Sequence, residues 1–318
     1  MTNEKIIRSC IVCGSDAHTP VFTFTWDFLT KVRWSTEREL RPYGWDENTT
    51  STVVRCSGCG CCYTRDVVPY PDVSTLEAPP SDHDNTGPEI ENLRHYAKYD
   101  QACWTVRMLV KLATRLQKRA IRFLDYGAGA GMICNMARAL GVGTVVAYDP
   151  FSPPGADDYR ARNFPGIQHV RELSALEELG PFDAVACQSV IEHVLHPRQE
   201  LETIYRLMSP GGFLYINNPY MPLETELPVL KAAKKIQKRD QISYYHQHHF
   251  NYMLPRHFEK LVREIGFELT SLAYFPPVPF APGMRRDWMI QELKSLYRGL
   301  QHSLGIDYGR QFYILKRR

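Results

Sequence analysis

Between Phe123 and Gly131 the chain reads Phe-Leu-Asp-Tyr-Gly-Ala-Gly-Ala-Gly, an apolar stretch that ends in an acid and passes through three alternate glycines. Residues with helical spacing then run from Met132 to Leu140. Nothing else in the chain restricts its fold as much. Glycine is needed where the backbone turns sharply and where a ligand must approach with no Cβ in the way. A strand, a glycine turn and a helix in that order make half of a nucleotide-binding α/β unit. The dinucleotide fingerprint wants a third glycine where Met132 stands, so the spacing Gly127-x-Gly129-x-x-Gly fails. The next apolar run, Val145 to Tyr148, is closed by Asp149, an acid able to accept hydrogen bonds from both hydroxyls of an adenosine ribose.

Further strand candidates at 184–188 and 213–217 follow turns at Gly180-Pro181 and Pro210-Gly211-Gly212, with helical stretches between them. This alternation predicts an α/β fold with a parallel, doubly wound sheet. Residues 255–265 read as a helix. Residues 267–274 and 311–315 read as two closing strands around a long insert with a helix over 288–300. Upstream, 89–118 carries apolar residues at helical spacing, and 69–88 is rich in Pro, Asp and Ser, as a linker would be. The organisation expected is a small module over 1–68, a linker over 69–88, and a main domain over 89–318 with a substrate-binding insert at about 219–252.

With 318 residues, 44% of them hydrophobic, the chain is long enough for one large domain beside a small one. No apolar run approaches the roughly 20 residues of a membrane-spanning helix. The N-terminus also lacks the apolar core of a secretion signal. A cytoplasmic location without a membrane partner is therefore expected. A formal net charge of +3 is too small to point to a polyanion, so nucleic acid is not expected as a partner. Lys231, Lys234, Lys235, Lys238 and Arg239 form a basic stretch at helical spacing. It reads first as a solvated face and second as a contact for a phosphorylated or nucleotide-linked substrate.

Nine cysteines, an odd number, argue against a complete disulfide framework. Cys10-x-x-Cys13 and Cys56-x-x-Cys59 each present two thiolates on a tight turn, with Gly14 and Gly60 directly after. Paired turns of this kind suit tetrahedral zinc, and four sulfurs with no open position would make the ion structural. A redox pair is the rival reading. Cys61 and Cys62 are extra thiols that could stand in for Cys59, whereas Cys103, Cys134 and Cys187 sit among apolar residues and read as core.

Taken together, Asp125-x-Gly127-x-Gly129-x-Gly131, Asp149, Phe182-Asp183-Ala184-Val185, Gln188-Ser189-Val190-Ile191-Glu192-His193-Val194 and Leu207-x-x-Pro210-Gly211-Gly212 follow one another in a familiar order. Over residues 90–318 the chain resembles the class I S-adenosylmethionine-dependent methyltransferases. With its four-cysteine module it is similar to the bacterial subgroup that includes deoxysugar C-methyltransferases and other sugar and natural-product enzymes. The resemblance implies a doubly wound, seven-stranded Rossmann-like sheet with a small N-terminal zinc-binding module. It implies that Gly127, Gly129 and Gly131 cradle the methionine part of the cofactor, that Asp125 helps hold its amino group, that Asp149 holds the ribose, and that Gln188 belongs to the same site. The loop at Glu172-Leu173 would line the adenine, although an Asp is more usual after the third strand.

Tyr244-Tyr245-His246-Gln247-His248-His249-Phe250 packs three histidines and two tyrosines into seven residues. In the sugar C-methyltransferases a Tyr-His-Glu-His run is expected here, its last histidine serving as base. Tyr245-His246-Gln247-His248 matches it with Gln247 in place of the acid, and loss of that charge weakens the case for carbanion chemistry. The expectation is methyl transfer to a small polar acceptor, a hydroxyl of a sugar or sugar-derived metabolite. His248 would act as base, and Tyr245, His246 and His249 would orient the acceptor. His193 is the second candidate for base, against a plain reading of Glu192-His193 as a capping and packing pair. A metal site in the histidine cluster is a further reading, with no nearby acid in the sequence to complete a ligand set. C-methylation of a keto-sugar nucleotide is the alternative reaction, followed by RNA modification and by a catalytically silent partner subunit.

Overall fold

The computed structural model describes residues 5–30, 37–41, 44–68, 105, 106, 109, 110, 112, 113, 116, 120–129, 131–151, 166–217, 249–270 and 312–318. Near the N-terminus lie β1 (Ile6–Ile7), β2 (His18–Thr25), the one-turn helices α1 (Trp26–Leu29) and α2 (Glu37–Leu40), β3 (Thr50–Cys56), β4 (Cys62–Thr64) and β5 (Asp66–Val67). The main sheet and its helices follow as β6 (Arg122–Tyr126), α3 (Met132–Ala139), β7 (Thr144–Tyr148), β8 (Gln168–Val170), α4 (Leu173–Leu179), β9 (Phe182–Gln188), α5 (Pro197–Leu207) and β10 (Met208–Asn217). The last elements are β11 (Asn251–Tyr252), α6 (Pro255–Ile265), β12 (Phe267–Leu269) and β13 (Phe312–Arg317).

Seven strands form the main sheet in the order β12-β13-β10-β9-β6-β7-β8. Strands β6 to β10 pair in parallel, while β13 runs antiparallel to both β10 and β12. This is the doubly wound architecture expected from the alternating pattern. Side chains along each strand point alternately to two cores. Leu124, Val146, Val185, Leu214 and Ile216 face one of them, together with Leu201 and Ile204 of α5 and Phe258 and Leu261 of α6. Phe123, Val145, Ala184, Ala186 and Tyr215 face the other, with Ile133, Cys134 and Ala137 of α3 and with Val106 and Leu109. Strands buried on both sides read as continuous apolar runs, which is why β6, β7, β9 and β10 were legible. The edge strand β8 has only three residues, none fully buried, and carries no such signal.

Asp183 lies inside β9 rather than at a turn. It is fully buried, and its carboxylate accepts from Ser209 Oγ at 2.7 Å and from the Arg122 amide at 3.1 Å. It ties three strands of the sheet together. Residues 69–100 and 271–311, which include the linker and the insert helix expected from the sequence, lie outside the described residues.

The N-terminal residues form a second, four-stranded sheet in the order β11-β4-β3-β2. One of its strands therefore comes from near residue 250, where Asn251 pairs with Tyr63 and Tyr252 with Cys62. Cys10, Val12, Cys56, Cys61 and Tyr63 share a core with Leu124, Val185 and α6. The far side of the small sheet packs an aromatic cluster of Phe22, Phe24 and Phe28 with ring centroids 4.9 to 5.9 Å apart.

Candidate active site

Gly127, Gly129 and Gly131 all lie in the left-handed region, at φ of 79°, 50° and 81°. A side chain there is strained by roughly 1–2 kcal/mol. At Gly127 the space is also taken: a Cβ would stand 2.3 Å from Val190 Cγ2. The loop is pinned by the amides of Gly127 and Ala128, which both donate to the carbonyl of Tyr148 at 2.8 and 3.0 Å. Asp149, at the end of β7, accepts from the Gly129 amide at 2.7 Å and from the Phe151 amide at 3.0 Å. The glycine loop and the acid one strand later are thus in direct contact. Asp125 is 2% exposed beneath the loop, where Cys134 Sγ donates to its Oδ2 at 3.5 Å. Gln188 closes β9 opposite Asn217 and is partly exposed. Ser189 follows it at φ 56°, the one non-glycine residue with positive φ among the described residues. Strained backbone of this kind gathers at functional sites. Glu172 sits directly before α4, its carbonyl accepting from Leu176.

The four cysteines come together as two matching turns, in which the Gly14 amide donates to the Cys10 carbonyl and the Gly60 amide to that of Cys56. Cys10 Sγ lies 3.5 Å from Cys59 Sγ and Cys13 Sγ 3.5 Å from Cys56 Sγ, and all four sulfurs fall within 4.8 Å of one another. Zinc–sulfur bonds of about 2.3 Å at tetrahedral angles put the sulfurs about 3.8 Å apart, so the set present fits that ion. Four thiols this close cannot all ionise without a cation. Hydrogen bonding by Cys61 pulls Cys10 down to about 4, while burial pushes Cys59 up. Cys61 is fully buried beside Cys10, Cys62 points into the aromatic side of the small sheet, and Cys59 remains with the other three.

A second constellation stands just past β9. Glu192, His193 and His249 offer ligand atoms all within 4.8 Å of one another. The Glu192 carboxylate is 1% exposed, its Oε1 lies 3.9 Å from His193 Nε2, and its Oε2 has no hydrogen-bond partner among the described residues. Burial pushes the Glu192 carboxyl up to about 8. The His193 and His249 rings meet edge to face at 4.6 Å. The sequence reading of Glu192-His193 as a plain capping pair missed this juxtaposition, because His249 lies 56 positions further along the chain. Tyr245, His246 and His248 lie outside the described residues.

Backbone bonding fixes the approach. The Glu192 carbonyl accepts from the Phe250 amide at 2.7 Å and from the Asn251 amide at 3.3 Å. Asn251 Nδ2 donates to the carbonyls of Ile191 and Val194, each at 2.7 Å. Arg8, 5% exposed, reaches in from the N-terminal module. Its Nη2 donates to the Leu195 carbonyl at 2.7 Å and to Asn251 Oδ1 at 2.6 Å, and its Nη1 to the carbonyls of Thr64 and Phe250 at 3.1 and 3.4 Å. Burial lowers the guanidinium to about 10, so it stays charged at neutral pH. Neither Arg8 nor Asn251 stood out in the sequence, since a lone buried polar residue leaves no periodic trace.

The strand order, with an antiparallel seventh strand inserted beside the fifth and a glycine loop at the centre, defines a Rossmann-like methyltransferase fold. Residues 93–272 match the methyltransferase domain family, and the chain belongs to that family. Among curated relatives, the ubiquinone biosynthesis O-methyltransferase of Xanthomonas oryzae pv. oryzae is 32% identical over 113 residues, which cover 33% of this chain and 46% of that protein. The protein of the same name from Xanthomonas axonopodis pv. citri is 27% identical over 173 residues, covering 51% and 69%. The chain thus spans about half the length of the first of these relatives. Among solved structures, the plantazolicin methyltransferase BpumL, in complex with SAH, is 14% identical, covers 75% of this chain and 92% of its own, and aligns with a TM-score of 0.45.

Proposed function

We propose that the protein transfers a methyl group from S-adenosylmethionine to an oxygen of a small polar acceptor, a hydroxyl of a sugar or sugar-derived metabolite. The observation that carries the cofactor reading is the contact between the left-handed glycine loop and Asp149. S-adenosylmethionine supplies, when bound, a sulfonium methyl carbon open to in-line displacement. The residues present suit it. At Gly129 the space where a Cβ would stand is open, and the Asp149 carboxylate lies directly against that residue's amide, an acid of the kind that accepts from ribose hydroxyls. Gln188 ends β9, and Asp125 stands one residue before the end of the neighbouring β6, near the carboxyl ends where ligands of open α/β sheets bind.

Toward the acceptor, the work of the chain is alignment and removal of one proton. His248 takes the hydroxyl proton, with His193 as the second candidate for base, and Tyr245, His246 and His249 orient the acceptor. Relatives named as O-methyltransferases support oxygen as the acceptor atom. Cys10, Cys13, Cys56 and Cys59 hold a structural zinc ion that secures the N-terminal module.

Calorimetry with S-adenosylhomocysteine on zinc-replete protein tests the cofactor reading. Binding in the wild type, lost in Asp149→Ala, is expected; no heat from the folded wild type overturns it. The acceptor reading is tested with hydroxy- and keto-sugars. His248→Ala is expected to lose roughly 100-fold or more in kcat, the usual range for a general base. Full activity in that variant removes the assigned role.

A further inference from the structure

We infer that Glu192, His193 and His249 form a second metal site, which takes a divalent first-row transition-metal ion and is separate from the four-cysteine cluster. The sequence placed three histidines together without an acid to complete a ligand set. The fold supplies that acid. Glu192 brings its carboxylate from the end of β9 to within 3.9 Å of His193 Nε2, and His249 closes the group, with the ligand atoms inside 4.8 Å.

The state of Glu192 is an independent pointer. Its side chain is 1% exposed, and Oε2 is buried with no hydrogen-bond partner among the described residues. A buried polar atom without a partner is costly, and more so if charged. A cation between the carboxylate and the two imidazoles satisfies it. Two imidazoles and one carboxylate suit transition metals better than Mg2+ or Ca2+, which prefer all-oxygen sets. The group is also held in place, because two amides of the 250–251 segment donate to the Glu192 carbonyl and Asn251 clamps the turn on both sides. Such outer bonding is what fixes ligands around a metal. His193 is one third exposed, so an ion added from solution can reach the group.

The location gives the ion a task. Val190, two residues before Glu192, packs over Gly127, so this site and the glycine loop share the carboxyl end of the sheet. A cation here would orient the acceptor by its oxygen and lower the pKa of the hydroxyl. That use rests on the methyl-transfer reading, whereas binding of the ion does not.

The test is titration with Co2+ of protein that carries one zinc equivalent per chain, bound by the cysteines, followed by calorimetry and visible absorption. One Co2+ equivalent per chain is expected, with weak d–d bands and no thiolate charge-transfer band. Glu192→Gln and His193→Ala should each weaken that equivalent at least tenfold, while cysteine-bound zinc and S-adenosylhomocysteine binding stay at wild-type levels. Those two controls report folding and test the cofactor reading separately. If Glu192→Gln does not fold, the partly exposed His193→Ala decides alone. The proposal is overturned if folded wild-type protein takes up no Co2+, or if uptake is unchanged in a folded variant. It is equally overturned if the bound Co2+ shows thiolate charge transfer, which would place it at the cysteines.

Discussion

Replacing Arg8 by methionine probes how the small module is fastened to the main sheet. The guanidinium makes two short bonds, to the Leu195 carbonyl at 2.7 Å and Asn251 Oδ1 at 2.6 Å, and two longer ones at 3.1 and 3.4 Å. Bonds from a charged donor contribute about 1.5–3 kcal/mol each, so the short pair alone accounts for roughly 3–6 kcal/mol. Methionine keeps much of the side-chain volume and removes a buried charge whose Nε has no partner among the described residues, which offsets part of that loss. The net destabilisation expected is about 2–4 kcal/mol, read as a lower midpoint in urea with an unchanged slope. A local readout accompanies it. The amides of Phe250 and Asn251, which donate to the Glu192 carbonyl, should exchange hydrogen faster in Arg8→Met, because Arg8 holds Asn251 in place. Arg8→Lys should recover only part of the loss, since an ammonium cannot span the same fork of acceptors. A midpoint within error of the wild type, with those two amides still protected, would refute the idea that this arginine is the clamp.

At the glycine loop, Gly127→Ala places a methyl group 2.3 Å from Val190 Cγ2 at a φ of 79°. It should cost about 1–3 kcal/mol of stability and weaken S-adenosylhomocysteine binding. Adding Val190→Ala should return the steric part of the loss and leave the backbone part, a coupling that a double-mutant cycle measures. Asp149→Asn removes a charge and keeps the shape. Affinity for S-adenosylhomocysteine should fall by roughly tenfold or more on calorimetry, in line with the worth of charge-assisted hydrogen bonds. Cys13→Ser, at the most exposed of the four sulfurs, should leave the purified chain with well under one zinc per molecule by metal analysis and with a lowered Tm.

Much of the main sheet could be read from the letters, because strands buried on both faces must be apolar throughout and glycines must stand where φ is positive. Strands β6, β7, β9 and β10 and helices α3 and α6 announce themselves in this way. The four-cysteine cluster was legible for a similar reason, since each Cys-x-x-Cys turn builds half a tetrahedron from local chain alone. Strand β8 escaped notice because three half-exposed residues on a sheet edge carry no pattern. Strand β11 escaped because two residues pair with a partner nearly 190 positions earlier. The grouping of Glu192 and His193 with His249 was hidden on the same grounds. The hints present were an acid–histidine pair directly after an apolar strand and a run of histidines further on. Their meeting depends on Arg8 and Asn251, which spacing cannot place.

The addition of Asn251–Tyr252 as an edge to the small N-terminal sheet has a bearing on how such chains diverge. A graft of residues 1–68 from a relative would arrive with a seam cut for a different strand, and would need matching changes around 250 before it could close. Inheritance of the front module and of the histidine-bearing segment is therefore linked. A change of shape at one must be answered at the other, so the two regions should change together among descendants of this chain.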